Sequence, residues 1–534
     1  MGREDRLVNK RGVLAWIAVG LIPAAFLVVF FLWPTATLVA RGFHDGQSWT
    51  LDGFEQMATS ARTLRALWFT LVSATLATLL CVVLGVPGAY VLYRLRFPAQ
   101  SIVRGVVTVP FVLPTVVVGI AFSWLQPVVG IIAAMVFFNY CVVVRTVGAL
   151  WGRLDPRQVE AAQALGASPL KAMWDVTLPG LRPAIISAAA LAFLFSASGF
   201  GIVMTLGRGA YQTIETEIWF QTTQILNLSA AAALSITQLV VVSVMLWLSN
   251  HFQRRSEVAL KLLPESTAGR PPRSSDVPAL ALTAVVIVGL IVVPMVGLVV
   301  RSFRYGGEWS VIGYERLFDA RLGGAIVTTL VTASAAAALA LLLGILVALV
   351  SSRRPQTRAG KGWLSVVESA FMLPLGVSAV TVGFGYLITL NKPPLDLRSS
   401  VVLIPIAQAL VALPLVVRTL LPTLRAISVR QIQAASTLGA SPWRALATIE
   451  FPAVGRGLGL ALGFALATSL GEFGATSFLA RPDNPTLPVL IYKLFSRPTG
   501  DNYITALAAS VVLAVMTAAV MIAAEQVRPR EVTT

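Results

Sequence analysis

The stretch EAAQALGASPLKAMWDVTLPGLRP, Glu160 to Pro183, returns 273 residues later as QAASTLGASPWRALATIEFPAVGR, Gln433 to Arg456. Ala161/Ala434, Ala162/Ala435, Leu165/Leu438, Gly166/Gly439, Ser168/Ser441, Pro169/Pro442 and Pro179/Pro452 are identical between the copies. Both copies are islands of small and polar residues in a mostly apolar chain. An Ala-Ala helix that stops at Gly and resumes after Ser-Pro predicts a helix-turn-helix, because Gly terminates helices and Pro suits a first turn. Such a unit is expected to lie flat outside a membrane, where its small residues let another protein approach closely. The duplicated stretch reads as a docking device.

Composition fixes the surroundings. The 534 residues are 56% hydrophobic and 12% charged, with a mean hydropathy of +0.80. Soluble domains run near ~25% charged, so an integral membrane protein is expected. The net charge of +17 is carried by short segments between apolar runs, the distribution of the positive-inside rule and not a basic face with interleaved aromatics. Nucleic acid is therefore not an expected partner; the lipid bilayer is. The two cysteines, Cys81 and Cys141, sit within apolar runs and read as small core residues.

Apolar runs long enough to cross ~30 Å of hydrocarbon fall at 13–39, 66–93, 102–126, 128–150, 183–206 and 227–249. A polar stretch follows, and the pattern restarts at 279–300, 324–351, 363–390, 399–422, 456–480 and 502–524. The first run is too long for the apolar region of a signal peptide. The expected fold is an all-α integral membrane protein of about twelve transmembrane helices in two tandem six-helix repeats. Residues 1–250 form the first repeat, 251–278 a linker and 279–534 the second. Basic residues mark one side: the N-terminus, the 94–104 and 353–361 turns, both copied loops (Arg153, Arg157, Lys171, Arg182; Arg425, Arg430, Arg444), the linker and the tail. That side is predicted to be cytoplasmic, with both termini on it. The opposite loops mix signs, with Glu215 and Glu217 expected in an outward loop at 207–226.

The duplication extends beyond the loops. Pro110-Phe111-Val112-Leu113-Pro114 is echoed by Phe371-Met372-Leu373-Pro374, Arg145 by Arg418 and Phe200-Gly201 by Phe473-Gly474. Parallel repeats of this kind enclose a pathway at the interface of the halves.

The copied loops resemble the EAA coupling loop of permease subunits in binding-protein-dependent ABC importers. Glu160, Ala161, Ala162, Gly166 and Pro179 match that pattern; the second copy keeps Ala434, Ala435, Gly439 and Pro452 but has Gln433 in place of Glu. More narrowly, the chain looks like the fused permeases of the thiamine and ferric-iron group. The segments Gly207 to Trp219 and Ser469 to Gly474, followed by Thr486-Leu487-Pro488, lean toward the thiamine side. The resemblance implies a bacterial inner or plasma membrane location and a cytoplasmic helix of each loop seated in one of two ATP-binding subunits. It also implies an extracytoplasmic solute-binding protein on the other side, with ferric iron as the alternative solute. Under this reading Gly166 and Gly439 permit the turn, and Glu160 offers a charged contact or caps its own helix.

Within the spans, Glu472 is the most informative residue, because an intramembrane carboxylate by default faces a pathway or a partner such as Arg145 or Arg418. Phe200 and Phe473 occupy equivalent places and suit a gate formed by stacking. Asn139, a polar group in an apolar span, is a candidate for the pathway or for a bond to a neighbouring helix. No phosphate-binding loop G-x-x-x-x-G-K-[ST] occurs, and the two histidines, His44 and His251, lie in no metal-type cluster. No catalytic constellation is evident. The chain is thus expected to be no enzyme and to bind no cofactor or metal, ATP and Mg being used by its partner subunits. The competing function class is an ion-coupled secondary transporter with Glu472 as its ion site.

Overall fold

In hydrocarbon every backbone N–H and C=O must find a partner within the protein, and a helix meets that demand inside one segment. The computed structural model describes residues 18–44, 48–256, 269–352, 358–393, 395–397, 400–481 and 483–526. The terminal basic residues, Arg353, Arg354 and linker residues 257–268 lie outside these. Among the described residues, nine unbroken helices are long and apolar enough to cross a membrane. Two further spans are broken: Gln100–Phe111 meets Thr115–Ala121 at 104°, and Val366–Gly376 meets Ala379–Thr389 at 96°. The remaining place in the twelvefold pattern holds Phe451–Leu470, whose apolar part Gly457–Leu470 is shorter. In chain order these are spans 1 to 12, spans 3 and 9 being the broken ones.

The expected continuous runs at 102–126 and 363–390 are therefore corrected to broken spans. Proline supplies the reason. Pro114 stands at the start of the second half of span 3, where it lacks an N–H and pushes its predecessor out of the helical region. In span 9 the turn Leu373–Gly376 contains Pro374, and Ser378 restarts the helix by accepting a hydrogen bond from the Val380 N–H at 3.1 Å. The runs at 183–206 and 456–480 also stop early, at Ala197 and Leu470, and resume as the short helices Phe200–Leu206 and Thr476–Leu479.

Small residues bring the central helices together. Spans 2 (Ala61–Arg94) and 4 (Pro127–Trp151) touch where a Cβ on Gly85 would come within 2.8 Å of Val143. Spans 8 (Leu322–Ser351) and 10 (Leu403–Arg425) repeat the contact, with a Cβ on Gly344 reaching 2.5 Å from Val416. The two halves thus share packing as well as sequence.

The first span of each half packs on the other half as well as on its own. Phe26, Leu27 and Phe31 of span 1 belong to the core formed by spans 8, 10 and 11, and the Phe30 ring lies 6.4 Å from that of Tyr386 in span 9. Reciprocally, span 7 (Ser274–Ser302) packs along span 2, and its Arg301 reaches the end of broken span 3. The Arg301 guanidinium donates to the carbonyls of Ala121 (2.9 Å) and Ile120 (3.3 Å) and to Ser123 Oγ (3.2 Å). A cation at a helix C-terminus is favourable, so this contact clasps the halves where the broken span ends. The linker's far end is held to the first half as well. Arg270 pairs with Leu95 through the backbone, and its side chain binds Asp276 at 2.8 Å and 2.9 Å and Tyr90 Oη at 2.7 Å.

Candidate functional site

The two copied loops fold alike, bond for bond. Helices Arg157–Ala164 and Val429–Thr437 end at Gly166 and Gly439, whose φ angles of +91° and +80° lie in the left-handed region. The Gly166 N–H donates to Gln163 O (2.9 Å) and the Ala167 N–H to Ala162 O (3.0 Å). In the second loop Gly439 donates to Ser436 O (3.0 Å) and Ala440 to Ala435 O (2.9 Å). This pairing is the Schellman cap, and it requires a residue that tolerates positive φ. Ser168 and Ser441 then restart the chain by accepting from the N–H groups of Lys171 and Arg444, each at 3.3 Å.

Glu160, Ala161, Gln433 and Ala434 are exposed, whereas Ala162 and Ala435 are half-buried against the spans. The residue that sequence reasoning passed over lies just before each glycine. Leu165 is 90% exposed and Leu438 is 88% exposed. A cap that turns a leucine fully outward, twice, presents an apolar knob at the tip of each loop. Its identity in both copies was the available signal.

Between the halves lies a cavity of about 280 Å³. Its wall comes from the breaks: the kink of span 3 (Phe111 to Thr115), the kink of span 9 (Pro374 to Val380), and the turns after spans 5 and 11. Phe200 and Phe473 meet here across the pseudo-twofold, with stacked rings 5.2 Å apart, and Tyr492 lies 5.5 Å from Phe473. The glycines that follow them allow the approach of the broken spans. A Cβ on Gly474 would sit 2.9 Å from that of Ala379, and one on Gly201 would collide with Thr115.

Glu472 lines this cavity and is 6% exposed. Its carboxylate does not meet Arg145 or Arg418. It accepts hydrogen bonds from the backbone N–H groups of Ala475 (2.7 Å) and Thr476 (3.0 Å), closing the turn that carries Phe473. Asn139 is buried but is not part of the lining; its Nδ2 donates to Met135 O and to Ser196 Oγ in span 5, each at 3.0 Å. The structure thus gives Asn139 a helix-to-helix bond and no place on the cavity wall, because its helix turns that face toward span 5.

The segment expected to be an outward loop also needs correction. Glu215 and Glu217 lie on the helix Ile214–Phe220, tucked between the halves, and are 1% and 0% exposed. Thr213 opens that helix with a capping box, and the Ile214 N–H donates to Thr70 Oγ1 at 2.9 Å. In the second half the Leu487 N–H donates to Thr329 Oγ1 in the same manner at 2.6 Å. Glu217 pairs with Arg62 at 2.9 Å and accepts from Gln221 at 2.8 Å. Glu215 reaches the cavity wall. Hydropathy alone could not reveal this burial, because a short charged helix held by its neighbours has the composition of a loop.

Comparison with known proteins agrees with the duplicated plan. The family described as binding-protein-dependent transport system inner membrane component matches this chain twice, over residues 81–258 and 316–532. The thiamine transport system permease protein ThiP of Brucella abortus (strain 2308) is 25% identical over 504 residues, 89% of this chain and 90% of that one. The sulfate transport system permease protein CysT of Salmonella typhimurium is 31% identical over 270 residues, 46% of this chain and 96% of its own. A solved bacterial alginate ABC transporter in complex with an alginate pentasaccharide-bound periplasmic protein aligns at 21% identity with a TM-score of 0.40, over 46% of this chain and 96% of that one.

Proposed function

The chain belongs to the family of binding-protein-dependent transport system inner membrane components, an ABC importer permease with two family units in one polypeptide, and from that premise we propose what drives it and what it carries. It is a multi-pass inner membrane protein and a transport component. Two ATP-binding subunits seat on the two capped loops, at Glu160–Gly166 and Gln433–Gly439, with Leu165 and Leu438 entering their surfaces. These subunits, not this chain, use ATP and Mg. Their closure rocks the halves about the Phe200/Phe473 contact, opening the central cavity to either side in turn. A solute-binding protein delivers cargo from the face opposite the loops, and both termini lie on the loop side.

The observation that carries this reading is the bond-for-bond identity of the two loops together with their outward leucines. A loop that merely joined helices would have no reason to repeat a Schellman cap and an exposed apolar tip. The solute is thiamine; support comes from a thiamine permease relative aligned over nearly the whole chain, whereas the sulfate relative aligns with one half.

Solute-stimulated ATP hydrolysis by the co-purified complex in lipid tests both parts, with thiamine and ferric iron assayed separately. Stimulation by thiamine that is lost in the Gly166→Trp, Gly439→Trp double variant is the expected result. Stimulation by ferric iron alone overturns the solute. Uptake that survives ATP depletion but not loss of the proton gradient overturns the importer and promotes Glu472 to an ion-coupling site.

A further inference from the structure

Glu215 is a carboxylate in the wall of the central cavity whose hydrogen-bond partner among the described residues is neutral. Gln238 Nε2 donates to its Oε1 at 2.8 Å. Ser198, Ser378 and Phe200 line the same cavity wall. Ser378 belongs to the second half, so the group sits at the seam between the halves. Among the described residues, no Lys or Arg forms an ion pair with Glu215 or Glu472. The nearby Glu217 has Arg62 as its counter-ion, and the contrast within one helix turn is informative. A buried carboxylate without a cation is costly and needs a reason.

The two cavity carboxylates are not equivalent. Glu472 uses its oxygens to hold the N–H groups of Ala475 and Thr476 and so fixes the turn behind Phe473. Glu215 closes no turn of its own helix; Thr213 and Thr216 already do that. The cavity that Glu215 lines carries six phenylalanines, Phe111, Phe138, Phe195, Phe200, Phe464 and Phe473, beside the hydroxyls of Thr115, Ser198, Ser378 and Thr468. Phenyl faces attract organic cations through the ring quadrupole. The volume, about 280 Å³, is near the lower end of pockets that hold small organic molecules, roughly 300 Å³ upward.

We infer that Glu215 is the counter-charge of the pathway and that the cavity selects flat aromatic organic cations, with Glu472 a positioning residue for the Phe473 turn. This inference rests on the permease reading. It goes further by assigning the solute class to the membrane chain itself and not only to a delivering protein.

The test is equilibrium binding of radiolabelled thiamine to the chain with its ATP-binding subunits in lipid nanodiscs, without the binding protein. The neutral competitor is 4-amino-5-hydroxymethyl-2-methylpyrimidine. The parent complex is expected to prefer thiamine to the neutral pyrimidine, and Glu215→Gln to weaken thiamine binding by about tenfold or more, the scale of one lost charge contact. Glu215→Asp keeps the charge and is expected to retain the preference for the cation. Glu308→Gln, in the exposed hairpin formed by strands Arg304–Tyr305 and Glu308–Trp309, is the unchanged control. Thiamine binding by Glu215→Gln within twofold of the parent overturns the inference. Equal binding of cation and neutral ring by the parent, or no thiamine binding at all, overturns it without recourse to any variant. The permease reading is judged separately by whether ATP hydrolysis depends on the two loop glycines, so either reading can fail alone.

Discussion

Replacing Gly166 and Gly439 by Ala isolates the backbone geometry of the loops from their surface chemistry. The structure leaves open space at both positions: a Cβ would meet nothing within 4 Å. Steric collision with the loop itself is therefore excluded, and the cost is that of holding an L-residue at φ +91° or +80°. That strain is about 1–2 kcal/mol per site. The loops lie far apart in sequence and share no partner, so their effects should add. The double variant is then about 2–4 kcal/mol worse at presenting both caps, equivalent to about 30-fold to 800-fold weaker association with the ATP-binding subunits at tenfold per 1.4 kcal/mol. Association is measured by titrating purified ATP-binding subunits against the chain in nanodiscs. Asn tolerates the left-handed region, so Gly166→Asn with Gly439→Asn should lose clearly less than the Ala pair. Gly105, exposed in the helix Gln100–Thr108 with open space around it, is the control. Its change to Ala should leave association unchanged. Equal losses for the Ala and Asn pairs, or no loss for either, would refute the argument that the cap geometry presents the loops.

Three further outcomes follow from other contacts. Arg301→Met removes the hydrogen bonds to Ala121, Ile120 and Ser123 while keeping an apolar stem, and should cost about 2 kcal/mol, seen as a lower thermal midpoint in detergent; an unchanged midpoint means the clasp between span 7 and broken span 3 contributes nothing. Glu217→Gln leaves Arg62 without its carboxylate, and because Arg62 is about one-third exposed the loss should fall below the roughly 3–5 kcal/mol of a fully buried pair, at about 2 kcal/mol by the same assay. Restoration by a second change, Arg62→Met, would mark the orphaned cation as the cause. Phe200→Leu keeps an apolar side chain but removes the stack on Phe473, worth about 1 kcal/mol. It should raise ATP-independent leak of solute through reconstituted complexes, and a leak rate equal to the parent's would deny the pair a gating role.

Much of the site was legible one residue at a time, and the failures have a common cause. Gly166 and Gly439 stood out because a helix cap is a local event, written within six residues. Phe200 and Phe473 stood out because the repeat placed them at the same offset, and the structure brings their rings together. Glu472 was conspicuous as an acid in an apolar run, yet its bonding to Ala475 and Thr476 depends on the chain turning back at Gly471–Gly474, which periodicity does not announce. Glu215 is expected in an outward loop because charged residues near Gly207-Arg208-Gly209 look like one. Its burial comes with a hydrogen bond from Gln238 and a place in the cavity wall that Ser378 of the other half also lines.

The sequence by itself determined that the chain is an all-helical membrane protein built of two like halves, each with the same capped loop. Those features follow from hydropathy, the side on which Lys and Arg fall, and the recurrence of a short motif, all of them properties of the chain in one dimension. Tertiary structure alone decided that spans 3 and 9 break at 104° and 96°, that spans 1 and 7 pack on the opposite half, and that Glu215 joins Glu472 in the wall of a cavity at the seam. These depend on which surfaces meet across the pseudo-twofold. A helix that is apolar on every side carries no mark of the neighbour it will choose, and that choice is made by the fit of small residues and the few polar bonds available in hydrocarbon.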